Sequence, residues 1–470
     1  MSASMRELVV VGGGPAGMAA AGAAASRGVA VTLVDAAERL GGQIYRQAGV
    51  GHPGSPVDPA GRAHAASLPR RFARLDERVE VLGGWNVWHV EADAQGVALE
   101  LVGQQDERPG SLTARAVVLA PGASELALPF PGWDLPGVTT AGAAQALLKS
   151  QGRLVGRRVV VGGSGPFLLP VAAALARGGA TVVAVVEAAL PRRLSGAAGA
   201  LALHGGKLAQ ALGYLRTLAR HRVPVLPGSA VLSCEGDGRV ERAVIGKVDA
   251  RLAARADGRR LVPVDAVCVS FGFVPRLELL RQLAEPGEPA PPGVFLAGEV
   301  TGIGGATVAG LEGTLAGATA ASYLGHRPTR RDELSLRRLR LQLRHAQRLA
   351  AALERAYALG RDWTSWLEPG TAFCRCEDVP FSAVAEAVAE GATTARAVRG
   401  VTRCGMGYCQ GRTCGPALQL AIASLTGASP EQVGDLQHRP IAVPLPLGAV
   451  AEEPPVLPLS GIPHGEPRRP

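Results

Sequence analysis

The segment from Glu7 to Arg46 restricts the fold of this chain of 470 residues more than any other part of its sequence. It reads ELVVVGGGPAGMAAAGAAASRGVAVTLVDAAERLGGQIYR, in which an apolar run is followed by glycines, an alanine-rich stretch and a second apolar run ending at Asp35. This order predicts a strand, a tight turn, a helix and a second parallel strand, the start of a Rossmann-like domain. We therefore predict an α/β fold.

The glycines of this turn have separate mechanical roles. Gly12 permits the tight turn, Gly14 lets the backbone approach a pyrophosphate, and Gly17 lets the helix pack closely on the strand. The N-terminus of the helix then faces the phosphate charge. Asp35 is placed to accept hydrogen bonds from a ribose hydroxyl. The sequence therefore predicts a dinucleotide site, which also includes the following residues: Pro15, Ala16, Gly42 and Gln43.

A second glycine turn begins near Arg158, in RVVVGGSGPFLLPVAAALARGGATVVAVVEAA. Aligning the two Gly-Pro pairs gives the counterparts of the first three glycines and of Asp35, namely Gly163, Gly165, Leu168 and Glu187. Because Leu168 replaces the packing glycine, we expect the helix to stand farther from its strand. The sequence predicts a second Rossmann-like domain and leaves open whether its turn binds NAD(P), another nucleotide or no ligand.

A flavin-type fingerprint followed by a nicotinamide-type one resembles the two-dinucleotide-binding-domain flavoproteins. AVVLAPGA (116–123) resembles the strand that returns to the flavin domain, although Pro121 replaces the usual threonine. GVFLAGEVTGIGGATVAGLEGTLAG (293–317) resembles the second flavin segment, although Glu299 replaces the usual aspartate. The resemblance implies FAD as the cofactor and adds these residues to its site: Gly122, Gly298, Glu299, Gly304 and Ala306.

Five of the seven cysteines lie in FCRCEDV and TRCGMGYCQGRTCG. Two pairs, Cys374-x-Cys376 and Cys409-x4-Cys414, each precede a predicted helix, where the helix dipole favours thiolates. Four thiolates can hold [2Fe–2S] or zinc. The one-residue gap and the neighbouring flavin domain favour [2Fe–2S], with zinc and unligated core cysteines as alternatives. Cys234 and Cys268 lie in apolar, strand-like surroundings, so we expect buried and inert thiols there.

These motifs, together with PFPGWDLPGVTTAGAAQALLK (129–149), resemble the alpha, or flavoprotein, subunit of the bacterial dye-linked amine dehydrogenases. That group includes octopine and nopaline oxidases, hydroxyproline dehydrogenase and the hydrogen cyanide synthase flavoprotein. The cysteine module is similar to bacterioferritin-associated ferredoxin (BFD). The resemblance covers almost the whole chain and implies Cys374, Cys376, Cys409 and Cys414 as the cluster ligands. It leaves Cys404 outside the ligand set.

The same resemblance implies that this chain is an electron-transfer component of a larger complex. A partner beta subunit containing FAD would oxidise the C–N bond of an amino acid or opine, and this chain would pass the electrons to a respiratory or dye acceptor. Further expectations are FMN at the subunit interface, an adenine nucleotide in the second Rossmann-like domain and a small ferredoxin-like gamma subunit.

Catalytic residues for the substrate reaction stay unassigned, because the sequence offers no Ser/His/Asp set, no paired catalytic carboxylates and no histidine-rich metal site. Three alternatives remain. They are a free-standing NAD(P)H-dependent reductase of a ferredoxin-like acceptor, the flavoprotein of a glycine-oxidising hydrogen cyanide synthase, and a binding module without turnover.

The net charge of +9 is concentrated between Arg327 and Arg361, where ten arginines face three acidic residues. Apolar residues recur there at 3,4 spacing, which predicts an amphipathic helix. A solvated linker and a partner-docking helix are both compatible with this pattern. Aromatic residues do not interleave with the arginines, so we expect no nucleic-acid partner.

The first strand begins too close to Met1 for a secretion signal, and Gly-Pro pairs interrupt the apolar stretches, so we expect no transmembrane segment. These features predict a cytoplasmic protein, with contact at the inner face of the membrane as an alternative. The predicted domains are FAD-binding 1–122 and 266–325, inserted Rossmann-like 150–265, basic linker 326–370, BFD-like 371–430 and a proline-rich extended tail 431–470.

Overall fold

The computed structural model describes residues 5–46, 78–202, 204–451, 455 and 457. The strands are β1 (Arg6–Val11), β2 (Val31–Asp35), β3 (Val79–Gly83), β4 (Trp85–Ala92), β5 (Val97–Gly103), β6 (Pro109–Leu119), β7 (Ala123–Glu125), β8 (Val138–Thr140), β9 (Arg158–Gly163), β10 (Thr181–Glu187), β11 (Val225–Pro227), β12 (Ser229–Glu235), β13 (Arg242–Lys247), β14 (Arg260–Pro263), β15 (Ala266–Ser270), β16 (Phe273–Pro275), β17 (Val294–Leu296), β18 (Ala372–Cys374) and β19 (Val379–Pro380).

The α-helices are α1 (Pro15–Ala25), α2 (Ala141–Gln151), α3 (Leu168–Arg177), α4 (Pro191–Ala202), α5 (Gly205–Arg220), α6 (Glu278–Leu283), α7 (Gly305–Tyr323), α8 (Arg330–Ala356), α9 (Phe381–Ala389), α10 (Ala395–Thr402), α11 (Gly415–Thr426), α12 (Pro430–Val433) and α13 (Gly448–Ala451). Short 3-10 helices span Gly298–Thr301 and Arg361–Trp366. The alternation of parallel strands and helices confirms the predicted α/β fold.

The first sheet contains the flavin-type turn and has the order β3-β2-β1-β6-β5-β4, with β17 also paired to β6. Strands β1, β2, β3, β6 and β17 pair in parallel, whereas β4, β5 and β6 form an antiparallel extension. In β17, Val294 lies opposite Val117 of β6. The chain therefore leaves this sheet, builds a second domain and returns to the same sheet.

Helices α1 and α7 join the two halves of the flavin-type domain through backbone contact. A Cβ atom added to Gly313 would overlap the carbonyl oxygen of Ala16, and one added to Gly317 would overlap that of Ala20. Gly17 is equally constrained, because its Cβ atom would overlap the carbonyl oxygen of Gly12. This close approach brings the two chain segments together at one edge of the sheet.

The second parallel sheet has the order β11-β10-β9-β15-β8 and contains the second glycine turn. An antiparallel sheet of β12, β13 and β14 packs beside it and shares its apolar core. Helix α3 begins at Leu168, whereas α1 begins at Pro15, whose counterpart in the second turn is Pro166. The regular helix therefore starts later after the second turn than after the first.

The basic segment forms helix α8, as its periodicity predicted. A capping box of Thr329 and Asp332 begins the helix. Its apolar seam is half-buried or buried against α4 and α7, whereas its arginines are exposed. The exposed arginines of α8 are Arg330, Arg331, Arg337, Arg338, Arg340, Arg344, Arg348 and Arg355.

The cysteine module consists of the β18–β19 hairpin and helices α9, α10 and α11, and it shares a core with the antiparallel sheet of the inserted domain. Trp363 and Trp366 are buried in this shared core. The indole Nε1–H of Trp366 donates to the carbonyl oxygen of Leu252 at 2.7 Å. The module is therefore packed onto the inserted domain.

The described part of the tail returns to the antiparallel extension of the first sheet. The backbone N–H of Ala442 donates to Trp88 O at 2.7 Å, and Ser111 exchanges backbone hydrogen bonds with Pro455 and Leu457. The rest of the predicted tail, residues 452–454, 456 and 458–470, lies outside the described residues. Among the helices that are described, none has the length and apolar character needed to cross a bilayer.

The α1–α7 contact predicts that alanine substitutions at two glycines of α7 have opposite effects on the free energy of unfolding. Gly313→Ala should lower the free energy of unfolding by about 2–3 kcal/mol, because the new methyl group would force the two backbones apart. Gly310 is the matched control, since no described atom lies within 4 Å of its Cβ position. Gly310→Ala should stabilise the helix by up to ~1 kcal/mol. Thermal denaturation of both variants measures the difference, and equal midpoints would contradict the proposed contact.

Candidate functional site

The segments predicted to bind the flavin meet at the carboxyl edge of the first sheet. Residues 12–17 follow β1, residues 42–43 follow β2, Gly122 follows β6, and the loop 298–306 follows β17. Since these strands are parallel neighbours, the structure brings all four segments together. The carboxyl edge of an open α/β sheet is where such folds bind their ligands.

Gly14 and Gly42 form the floor of a shallow cradle at this edge. A Cβ atom added to Gly42 would lie 2.9 Å from the Cα of Gly14. A Cβ atom added to Gly14 would have one described neighbour within 4 Å, the Cα of Gly42 at 4.0 Å. Helix α1 starts directly behind with Pro15 in its first turn, and no side chain caps its described N-terminus. Bare backbone and uncapped N–H groups suit the close approach of a pyrophosphate.

Asp35 lies at the end of β2 and ties the glycine turn to the next loop. Its carboxylate accepts hydrogen bonds from the N–H of Gly13 and, at 2.7 Å, from the N–H of Ala37. Burial raises the pKa of Asp35, and these two N–H groups oppose the effect of burial. The acid thus stands beside the glycine turn, and its contact with a ribose hydroxyl stays a prediction.

The carboxylate of Glu299 contacts backbone N–H groups of its own loop, whereas the resemblance implied a contact with the flavin cofactor. Its carboxylate accepts hydrogen bonds from the N–H of Gly304 at 3.2 Å and of Gly305 at 2.8 Å, so it caps the start of α7. Burial raises the pKa of Glu299. In this structure the residue shapes the loop 298–306, and its contact with the ribityl or pyrophosphate region stays a prediction.

Glu312 is a site residue that the sequence reasoning missed. It accepts hydrogen bonds from the N–H of Gly298 at 3.1 Å and from the Thr301 hydroxyl at 2.8 Å. It therefore holds the 3-10 turn that carries Glu299. The available signal was that Glu312 is the only charged residue of α7.

The second glycine turn is covered by the residues that directly follow helix α8. The Ser164 hydroxyl donates to the carbonyl oxygen of Tyr357 at 3.2 Å, and Arg193 donates to that of Ala358 at 2.9 Å. The Glu187 carboxylate accepts from the N–H groups of Gly165 at 3.1 Å and Ala189 at 2.8 Å. Glu187 thus repeats the arrangement of Asp35, but beneath a segment of its own chain.

Five cysteines converge at the edge of the cysteine module. The sulfur of Cys414 lies 3.7 Å from that of Cys374 and 4.0 Å from that of Cys404. These three sulfurs lie within 4.8 Å of one another. Cys376 and Cys409 form a second pair, hydrogen-bonded to each other. The structure therefore places Cys404 beside two of the four predicted ligands, Cys374 and Cys414, a proximity that the sequence pattern did not indicate.

A cavity of about 340 Å³ opens onto these sulfurs. Its lining includes Cys374, Cys376, Cys409 and Cys414, whereas Cys404 does not line it and is fully buried. With metal–sulfur bonds of about 2.3 Å, two thiolates of one tetrahedral metal lie ~3.8 Å apart. The 3.7 Å between the sulfurs of Cys374 and Cys414 matches this spacing, and four thiols lining one cavity provide the number of thiolates that a [2Fe–2S] cluster takes.

Trp133 connects this cavity to the preceding domains. Its indole Nε1–H donates to Ala372 O at 2.6 Å, and the guanidinium of Arg375 lies 5.1 Å from the centre of its ring. Arg375 lies between Cys374 and Cys376 and also reaches the carbonyl oxygen of Asp134 at 3.4 Å. Trp133 of the Pro-Gly-Trp-Asp motif thus forms part of the wall of the cysteine site.

The loop before α11 favours the thiolate form of Cys409. Burial alone would raise the pKa of this thiol, but hydrogen bonds from the Thr413 backbone, the Cys376 thiol and the Gly411 backbone together outweigh burial and lower the pKa. By contrast, burial raises the pKa of Cys374 despite the N–H of Gly405 at 3.5 Å. Away from the site, burial raises the pKa of Cys234 to about 12 and also raises that of Cys268, as expected for inert thiols.

Comparisons with known proteins agree with this geometry. The chain matches the pyridine nucleotide-disulphide oxidoreductase family over residues 6–313 and the BFD-like [2Fe-2S] binding domain over residues 373–424. It is 34% identical to the opine oxidase A subunit of Rhizobium meliloti strain 1021, with 96% of this chain and 99% of the relative covered. The chain belongs to the flavoprotein family of that opine oxidase component.

Another relative is the hydrogen cyanide synthase subunit HcnB of Pseudomonas protegens, at 29% identity over 94% of this chain and 96% of that subunit. The crystal structure of L-proline dehydrogenase from P. horikoshii superposes with a TM-score of 0.68. That comparison has 19% identity, covers 96% of this chain and 80% of the other, and supports the fold.

The family establishes the chain as an FAD-dependent oxidoreductase with a [2Fe–2S] module, which confirms both predicted cofactors. The structure fits each group. The bare glycine cradle suits the FAD pyrophosphate, and two pairs of thiols lining one cavity suit the cluster. The individual ligands at both sites stay predictions.

Glu187 predicts a pH-dependent contribution to stability. Burial raises the pKa of its carboxyl from 4.5 to about 7. Between these values the folded protein keeps a proton that the unfolded chain has released, so the free energy of unfolding falls as the pH rises through this window. Glu187→Gln should remove this loss, which is about 3 kcal/mol for a shift of this size.

Thermal midpoints of wild type and Glu187→Gln, measured between about pH 5 and 8, test this expectation. The variant should gain stability relative to wild type as the pH rises. Glu333→Gln, at an exposed glutamate of α8, is the control and should follow the wild-type curve. Parallel curves for wild type and Glu187→Gln would show that the Glu187 carboxyl contributes no such dependence.

Proposed function

We propose that this chain is the electron-transfer subunit of a heteromeric dehydrogenase or oxidase of the opine oxidase type. A partner beta subunit containing FAD oxidises the C–N bond of an amino acid or opine. The electrons then pass through the FAD and the [2Fe–2S] cluster of this chain to a respiratory or dye acceptor. Support comes from the similarity to the opine oxidase A subunit, which spans almost the whole of both chains.

The cysteine cavity is the observation that carries this proposal. Four thiols line one cavity, and its wall is formed by the loop that leads from the flavin-type sheet into the inserted domain. We assign Cys374 with Cys414 to one iron and Cys376 with Cys409 to the other. A one-electron centre in the same chain as a flavin divides the two electrons of a reduced flavin into single transfers.

The covered second turn favours this proposal over an NAD(P)H-dependent reductase. Leu168 stands where a packing glycine would be, and the backbone of Tyr357 and Ala358 lies hydrogen-bonded over the turn. A nicotinamide nucleotide would have to displace that segment. We assign the second domain to structure or to a bound adenine nucleotide, and we retain FMN at the interface with the beta subunit as part of the proposal.

We place the complex in the cytoplasm, where a gamma subunit of ferredoxin type or the inner face of the membrane could receive the electrons. The arginine-rich face of α8 offers a surface for either contact. Oxidation of glycine by a hydrogen cyanide synthase is the second candidate, since HcnB matches nearly the full length of this chain.

Reduction of the cofactors distinguishes these functions. The isolated chain should keep its flavin absorption when NADH is added, because the second turn gives nicotinamide no productive site. The chain purified with its partner subunit should bleach when the correct amino acid or opine is added, and glycine tests the hydrogen cyanide synthase alternative. Rapid bleaching of the isolated chain by NADH would overturn the subunit proposal.

The ligand assignment predicts different results for neighbouring cysteines. Cys409→Ala should lose the visible absorption and bound iron of the cluster, because one iron would lose a thiolate. Cys404→Ala should keep both signals, since its sulfur lies outside the cavity. Cys268→Ala, in the core of the inserted sheet, is the control for general effects of removing a buried thiol. If Cys404→Ala also loses the cluster, the ligand assignment is wrong.

A further inference from the structure

A buried arginine from the tail lies against the loop that carries two of the proposed cluster ligands. Arg439 is 6% exposed. Its Nη2 lies 3.4 Å from the position that a Cβ atom would take on Gly411. Gly411 lies between Cys409 and Cys414 in the sequence. Among the described residues, its Nε and Nη1 have no hydrogen-bond partner. A guanidinium buried with unpartnered nitrogens is costly unless a negative charge lies near it.

Arg412 belongs to the ligand loop itself and has its own partners. Arg412 donates to the carbonyl oxygens of Ala442 at 2.6 Å and Cys409 at 3.2 Å, and its Nε lies 3.4 Å from the Glu278 carboxylate. Glu278 therefore lies within ion-pair distance of Arg412. The described surroundings leave the charge of Arg439 without a carboxylate within ion-pair distance.

The cluster supplies the missing negative charge. Two ferric ions, two sulfides and four thiolates sum to a double negative charge, and one electron from a reduced flavin converts one ferric ion to ferrous and makes the charge triple. A fixed positive charge beside the ligand loop is attracted more strongly by the reduced form than by the oxidised form. Such a charge raises the reduction potential of the cluster.

We propose that Arg439 is a positioned counter-charge that raises the reduction potential of the [2Fe–2S] cluster, with Glu278 acting in the opposite direction. This inference rests on the proposed cluster site. The tail thereby controls how readily the cluster accepts an electron from the flavin. The charge of the cluster also explains why Arg439, a charged residue of the proline-rich tail, is buried next to the cysteine module.

The test uses the full chain with its cluster bound, titrated with dithionite in the presence of redox dyes. Arg439→Gln should lower the ratio of reduced to oxidised cluster at a fixed potential by about tenfold, which corresponds to ~59 mV for a one-electron couple. Glu278→Gln should change this ratio in the opposite direction, because it removes a negative charge. The cluster absorption and its paramagnetic resonance signal report the ratio.

Two further variants separate charge from packing. Arg439→Lys keeps the positive charge, so its midpoint potential should lie closer to wild type than that of Arg439→Gln. Arg337→Gln removes the same charge from the exposed face of α8 and should leave the potential unchanged. Equal shifts in Arg439→Lys and Arg439→Gln, or shifts of the same sign in Arg439→Gln and Glu278→Gln, would overturn the proposal.

The outcomes also distinguish failure of the counter-charge proposal from absence of the cluster. Wild-type protein without a [2Fe–2S] signal would contradict the proposed cluster site. A wild-type cluster whose potential is the same in Arg439→Gln would contradict the counter-charge alone. If Arg439→Gln binds no iron, the sign of the shift in Glu278→Gln and the midpoint of Arg439→Lys decide the proposal.

Discussion

The backbone contact between α1 and α7 is the constraint on which the rest of the structure depends. The two helices belong to chain segments that are separated by the whole inserted domain. They meet only because Gly313 and Gly317 present no side chain to the carbonyl oxygens of Ala16 and Ala20. This contact aligns β17 beside β6 and so completes the edge where the flavin segments converge.

A second constraint fixes the cysteine module to that framework. Trp366 hydrogen-bonds the backbone of the inserted domain, and Trp133 hydrogen-bonds the hairpin that carries Cys374. Buried aromatic side chains with satisfied polar atoms hold two surfaces in one relative position. The tail adds a third attachment through Ala442, on the far side of the flavin-type sheet. A rigid attachment suits electron transfer, because it keeps the distance between two redox centres constant.

Features that depend on short stretches of sequence could be predicted. The turn that begins at Gly12 and helix α8 follow from local spacing of glycines and apolar residues, and both were found as predicted. The partner of Glu299 could not be predicted, because two N–H groups of the following loop compete for its carboxylate. The covering of the second glycine turn by the backbone of Tyr357 could not be predicted either, because Tyr357 lies far from that turn in the sequence. The domain boundaries and individual ligands remain predictions.

The sequence by itself determined the α/β fold class, the two glycine turns and the group of thiols that could bind iron, because these depend on local backbone conformation and residue chemistry. FAD and the [2Fe–2S] cluster were implied by the resemblance of several motifs to a known family. Only the tertiary structure decided that Cys404 lies beside the cavity without lining it, and that Arg439 is buried against the ligand loop. Both outcomes depend on packing between distant segments, whose free energy is spread over many contacts and leaves no local pattern.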